Sequence, residues 1–244
     1  MKPMMLPIYF FSGTSTSIPY ESYSTLGDLK YSLMNKLKLK VGRIPYFSMY
    51  EILDKTDSTE ERILDDEEKV VNMKSMWEFD TERFNKNNIK VEFRVYLKMI
   101  LYYGFTEEDV DSVTLSFYQA KYDIVNSKYN LTDDDISKLA AMQILATYGN
   151  MSHEDVRRRI EDDIGEFIPQ SKLRKLEKAY WIKTIMEEYV AVDQVYTKLE
   201  ARKSYLDYIK NNNFYEAHLF YVKVIIKYYI NIYLYFLRNY YSLF

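Results

Sequence analysis

"LTDDDISKLAAMQILATYGN", residues 131–150, reads as a helix marked at both ends. Thr132 stands where an N-cap hydroxyl serves the first turn, and three aspartates follow, where the positive end of the helix dipole favours them. Leu131 and Ile136 have the spacing of a hydrophobic staple, and Gly149 is placed to close the helix in a left-handed turn. Between the caps, Leu139, Ala140, Ala141, Met142, Ile144, Leu145 and Ala146 are interrupted only by Lys138, Gln143 and Thr147. A helix apolar on nearly every side is buried on most of them. Its alanines predict close helix contacts, and Gln143 is expected to be a core hydrogen-bonder rather than a catalytic group.

The rest of the chain supplies what such a helix needs. At 244 residues, 48% hydrophobic and 28% charged, it is apolar enough to bury a core and too apolar to be disordered. The net charge of −3 argues against non-specific nucleic-acid binding, so no nucleic-acid partner is expected. With no cysteine, a disulfide framework and a thiolate metal site are excluded. "MKPMMLPIYFFSGTSTS" begins like a short signal peptide, but Pro7 interrupts its apolar run and no small-residue cleavage site stands out.

Residues 105–211 keep a helical period throughout. Val113, Phe117, Ala120 and Ile124 mark one helix and the opening stretch a second. "SHEDVRRRIEDDIGEFIP" is a third, capped by Ser152, with Pro169 beyond its end; "SKLRKLEKAYWIKTIMEEYV" is a fourth. Val195, Leu199, Leu206 and Ile209 mark a fifth, ending at "NNN". Five helices on short loops predict a bundle with 131–150 at its centre.

Residues 6–98 are mixed. "LPIYFF" and "SIPYE" are strands around the turn-rich "SGTST". Thr25 caps a helix with Asp28 in capping-box position, and Leu26, Leu29, Leu33 and Leu37 line one face. "RIPYFSMYEIL" reads as a strand, and the acidic "DKTDSTEERILDDEEK" as an exposed loop with a short strand or turn. "NIKVEFRVYLK" alternates strictly, Val91, Phe93, Val95 and Leu97 against Glu92, Arg94, Tyr96 and Lys98. Strand, strand, helix, strand, short elements, strand is the order of a ubiquitin-like β-grasp. At the other end, "AHLFYVK" (217–223) alternates like a new strand, and the Tyr- and Ile-rich residues 224–244 show neither period nor turn signal.

Four phrases, in order, resemble those of a FERM domain's second lobe: "FYQAKYDIV" (117–125) at its first helix, "DDDISKLAAMQILATYG" at its central helix, "IGEFIP" ahead of "KAYWIKTIMEEY", and "ARKSYLDYIKNNNFYEAHLFYVK" at the passage to a third lobe. "RIPYFSMYEI" and "EERILDDEEKVVNMKSMWE" resemble the FERM units of unconventional myosin and kinesin-like tails, of the myosin-tail-homology–FERM type, more than ezrin-type proteins. The resemblance implies an α+β fold: a ubiquitin-like first lobe over 1–103, an all-α, acyl-CoA-binding-protein-like second lobe over 104–212, and the start of a third at 213–223. Residues 224–244 are expected to be an aberrant, non-native tail, the third lobe being absent from what reads as a truncated piece. A transcript continuing in frame to a stop after Phe244 would overturn that expectation.

The function so implied is a non-enzymatic, cytoskeleton-associated adaptor with no cofactor. Its partners would be protein cargo or membrane-receptor tails, anionic phospholipid, and a cytoskeletal motor in the parent protein. Its place would be the cytoplasm, at the cytoskeleton or cell cortex. The alternative is a tail-anchored membrane protein whose anchor is Leu219–Leu237, against which stand Lys223, Lys227 and Asn231. The residues offer no catalytic or metal site: His153 and His218 lie far apart in sequence, and the acidic loop 57–68 lacks the glycine and the oxygen spacing of a calcium loop. Arg157, Arg158 and Arg159 fan round a helix among acids and read as a solvated surface. Lys172, Arg174, Lys175 and Lys178 are the candidate partner- or lipid-binding residues, a basic run followed by aromatics.

Overall fold

The computed structural model describes residues 4–56, 58–100, 109–192, 196–210, 219–224 and 230–235. Two strands open the chain, β1 (Met4–Tyr9) and β2 (Ser15–Tyr20), paired antiparallel around the expected turn. Helix α1 (Leu26–Lys36) begins in a complete capping box: Thr25 and Asp28 each accept the other's backbone N–H. Its leucines 26, 29 and 33 are buried. Gly27 suits the close approach there, because a Cβ would sit 3.0 Å from the Asp66 carbonyl oxygen, a tight contact with backbone.

The strand expected from Arg43 starts later. Val41–Tyr46 is a 3-10 turn, and Pro45 inside it has no N–H to give a ladder. β3 then runs Phe47–Lys55 and turns into β4 (Thr59–Ile63), so the acidic segment is half of a hairpin. Where only short elements were expected stands α2 (Val70–Lys86), 17 residues long. It announces itself poorly, since Lys69 at its N-cap makes no side-chain cap and only Val70 and Met73 are buried. Its later turns lie on the sheet through Trp77, stacked on Phe93 at 5.4 Å and donating to Glu51. β5 (Val91–Met99) completes a sheet ordered β2-β1-β5-β3-β4. Leu6, Ile8, Phe47, Met49, Val95 and Leu97 form its core with the α1 leucines. That is the β-grasp order, and the fold is α+β.

The chain divides into two compact units, Met1–Tyr122 and Asp123–Phe244, and α3 (Val110–Val125) carries it across that division. In the second unit α4 (Asp133–Tyr148) is the central helix, packed against α7 (Lys178–Ala191) and α8 (Lys198–Lys210). Residues 139–146 are all buried. Thr132 and Asp135 form its capping box, and Gln143 Nε2 donates to the Glu166 carbonyl at 3.0 Å, as expected of a core hydrogen-bonder. Gly149 closes the helix at φ +84°, ψ −166°, a glycine-only conformation distinct from the left-handed helical turn expected.

The third helix, α5 (His153–Asp162), is shorter than its sequence suggested and passes into a 3-10 turn at Ile164–Glu166. The fourth is two, α6 (Gln170–Leu173) and α7. Val195, expected to open the fifth, lies outside the described residues. Beyond α8, β6 (Leu219–Val224) pairs antiparallel with β7 (Ile230–Tyr235), a strand where no period was visible. The stretch weighed as an anchor therefore holds two strands, and among the described residues no helix is long and apolar enough to cross a membrane.

Candidate functional site

The basic run breaks into two helices because its phase breaks. Trp181, Ile185 and Tyr189 are fully buried and give α7 one face with a four-residue repeat. Continued backward, that face would bury Glu177 and Lys178 or Arg174, whereas the half-buried apolar residues are Leu173 and Leu176. The chain resolves the conflict by turning at 174–177.

The turn sorts the four candidate cations. Lys172, in α6, is half-buried and pairs with Asp133 in the first turn of α4 at 2.6 Å. Lys178, the first residue of α7, donates to the Glu161 carbonyl. Arg174 and Lys175 are exposed on the turn itself, and their charged ends meet no carboxylate among the described residues. Of the four, one is paired with a carboxylate, one is bonded to backbone, and two adjacent cations meet no carboxylate among the described residues.

Two polar clusters escaped sequence reading. Arg157 pairs with Glu161 and Arg158 with Glu154, as a solvated face would. Arg159 does not follow them: it pairs with Glu166 at 2.6 Å and lies over the Tyr148 ring at 4.8 Å. Tyr148 donates to the same carboxylate at 3.0 Å, and burial, then the Glu166 charge, hold its hydroxyl above the usual phenol range. The partner of Arg159 lies seven residues away, beyond the helix end, where no helical spacing points to it.

The second cluster locks the start of α4. Tyr208 of α8 donates to Asp135 at 2.8 Å, and Lys138 sits over the Tyr208 ring at 4.7 Å. Burial, then the hydrogen bond to Asp135, push the Tyr208 hydroxyl up to about 12. Against the burial that raises it, hydrogen bonds from Thr132 and Tyr208 hold the Asp135 carboxyl below the usual range. A carboxyl depressed in the folded state stabilises fully above its unfolded value, and loses that contribution as pH falls through its folded value. Between pH ~6 and ~3 the urea midpoint of the wild type is therefore expected to drop more than that of Asp135→Asn. Parallel declines would contradict the assignment.

His153 meets the Tyr189 ring edge-on at 6.3 Å, and His218 lies outside the described residues. Among the described residues no three His, Asp or Glu side chains converge as metal ligands. The acidic loop's Asp57 is not described, and its Glu60 is engaged by Lys55, Glu61 by Lys98 and Asp66 by Lys30.

Comparison with known proteins gives residues 106–220 as a match to the FERM central domain model and residues 2–100 as a match to the RA like domain model. The structure is similar to the MyTH4-FERM MF2 domain (a mutant) of Dictyostelium discoideum myosin VII, with TM-score 0.73 at 14% identity, over 92% of this chain and 45% of that one. It is similar to the C-terminal MyTH4-FERM domain of human myosin 7b, solved with the harmonin-a PDZ3 domain, with TM-score 0.68 at 17% identity, over 91% and 44%. A complex of the FERM and C-terminal domains of Drosophila Merlin gives TM-score 0.66 at 16% identity, over 89% and 68%. The chain therefore spans less than half the length of the two myosin structures. No curated protein matches it.

Proposed function

We propose that this chain, which carries a FERM central domain behind an RA-like domain, the first two lobes of a FERM module, is a protein-binding adaptor that makes and breaks no covalent bond. The observation that carries this reading is the succession of the two family matches along 2–220, in the order of the FERM lobes. The human myosin 7b module was solved on a PDZ domain, and by analogy the partners here are protein cargo or membrane-receptor tails. The same analogy places the chain with cytoskeletal motors of the myosin-tail type, at the cytoskeleton or cell cortex. Cross-linking mass spectrometry in cells tests it: links to cytoskeletal or receptor-tail proteins are expected, and links confined to soluble metabolic enzymes would overturn it.

Within that reading, Arg174 and Lys175 form the anion-facing part of the surface. Lys172 and Lys178 serve the structure through Asp133 and the Glu161 carbonyl. Each cation near an anionic membrane contributes about 1 kcal/mol, so the double variant Arg174→Gln, Lys175→Gln is expected to lower partition onto phosphatidylserine vesicles by about 30-fold. Lys172→Gln is expected to act on stability instead. Co-sedimentation at low salt reads both, and unchanged binding by the double variant would remove the assignment.

A further inference from the structure

The basic run begins with a hydroxyl, that of Ser171. From Gln170 to Tyr180 no residue is buried, although Pro169 before this stretch and Trp181 after it are. Leu173 and Leu176 are half-buried, and α6 is only four residues long. A single helical turn is unstable by itself, so the stretch opens at little cost beside a helix with a buried face. The Ser171 hydroxyl is exposed and shares a hydrogen bond of 2.8 Å with the exposed hydroxyl of Ser127.

Lys172, Arg174 and Lys175 follow Ser171 at the first, third and fourth positions. The Arg174 N–H bonds the Gln170 carbonyl and the Lys175 N–H bonds the Lys172 carbonyl, so the backbone keeps a helical turn as far as Lys175. Side chains three and four residues apart on such a turn lie within reach of one another. Other hydroxyls are placed differently. Thr132 and Ser152 cap helices and are followed by acids. Ser204 has Arg202 and Lys203 before it, but it stands beside the buried Tyr205 in α8, a helix packed against α4.

Kinases choose their substrates in part by charge pattern. We infer that Ser171 is the acceptor of a serine kinase that reads basic residues on its C-terminal side, and that the phosphate neutralises Arg174 and Lys175. In the transfer Ser171 Oγ bonds the γ-phosphorus of ATP, the bond from that phosphorus to the β-phosphate oxygen breaks, and ADP leaves. The hydroxyl proton passes to the kinase's base. The product carries about −1.5 to −2 charges at pH 7 and three acceptor oxygens. They lie within reach of two cations that meet no carboxylate among the described residues, and of the Ser127 hydroxyl. Under the proposed function those cations face anionic membrane, and phosphorylation is a means of releasing a basic segment from anionic lipid. The release rests on that reading; the modification itself does not.

The full chain and a peptide of residues 167–180 are each incubated with the catalytic domain of protein kinase C and ATP, and the phosphate is located by mass spectrometry. Both are expected to carry it at Ser171, and Arg174→Gln, Lys175→Gln is expected to slow the reaction by roughly tenfold or more. An unmodified peptide would overturn the charge recognition. A modified peptide beside an unmodified chain, or a chain modified mainly elsewhere, would overturn the accessibility. Co-sedimentation with phosphatidylserine vesicles at low salt then compares the two forms of the chain. Phosphorylation is expected to lower partition by about 30-fold, and phosphatase to restore it. Ser171→Ala treated with kinase is expected to sediment like the untreated chain. Equal sedimentation of both forms would overturn the neutralisation and leave the membrane reading standing. If the unmodified chain does not sediment, the membrane reading fails and a pH titration by phosphorus NMR decides. Paired cations are expected to hold the second ionisation of the phosphate below its ordinary value of about 6, and an ordinary value would overturn the pairing.

Discussion

Trp181→Ala is expected to cost the second unit about 3–5 kcal/mol of stability, the range for emptying a buried aromatic site. Trp181 is fully buried on the inner face of α7, the helix that packs against α4. The backbone around it is helical on both elements, so the vacated volume has little means of collapse. A second variant separates packing from polarity. The indole Nε1–H is buried with no acceptor among the described residues, and such a donor carries a desolvation penalty of about 1–3 kcal/mol. Trp181→Phe removes that donor while keeping most of the ring, so its net cost is expected to stay near 1 kcal/mol or below. Urea unfolding followed at 222 nm reads both. A phenylalanine variant as damaged as the alanine variant would mean that the N–H has an unseen acceptor.

Trp181 also shows what a sequence discloses and what it hides. The residues deciding its burial, Trp181, Ile185 and Tyr189, repeat every four positions and are visible as a stripe. So are the α4 caps, because Thr132 and Asp135 meet three residues apart in the same chain segment. Local chemistry of this kind made the central helix, the α1 capping box and the β5 alternation legible. The α6–α7 break was hidden because it lies in a mismatch of phase, with Leu173 and Leu176 marking one face and Trp181 another. α2 was hidden because its support is non-local: Trp77 finds Glu51 and Phe93 across the sheet, and no capping residue opens the helix.

The candidate site follows the same division. That Lys172, Arg174, Lys175 and Lys178 form a basic run is legible; that Lys172 is spent on Asp133, 39 residues earlier, is not. Arg159 illustrates the reverse error. Three consecutive arginines among acids suggest solvation for all three, and spacing along α5 gives Arg157 and Arg158 their partners. The third turns instead to Glu166, on the segment folded back after the helix ends. Tertiary partners reassign individual charges that the pattern treats alike.

Lys98→Ala is expected to cost the first unit about 3 kcal/mol, the lower end for removing one member of a buried ion pair. Strict alternation put Lys98 on the polar face of β5, and it does lie there, yet it is only 8% exposed. Its ammonium bonds Glu61 Oε2 at 2.7 Å and sits over the Tyr50 ring at 4.6 Å and the Phe11 ring at 5.8 Å. That face of the sheet is aromatic, with Phe11 packed on Tyr96 at 4.9 Å and on Tyr122 at 4.5 Å, so the lysine stem fills apolar space while its head is claimed by rings and a carboxylate. Two variants divide these contributions. Lys98→Met keeps the stem and loses the charge, and is expected to recover about half of the loss. Adding Glu61→Gln to Lys98→Met closes a double-mutant cycle whose coupling is expected at about 1–2 kcal/mol, because Glu61 retains 22% of its side-chain exposure. Urea unfolding of the four proteins measures it. A coupling near zero would place the value of Lys98 in its stem and its rings, and would make Glu61 a neighbour that the strand pairing merely brings close.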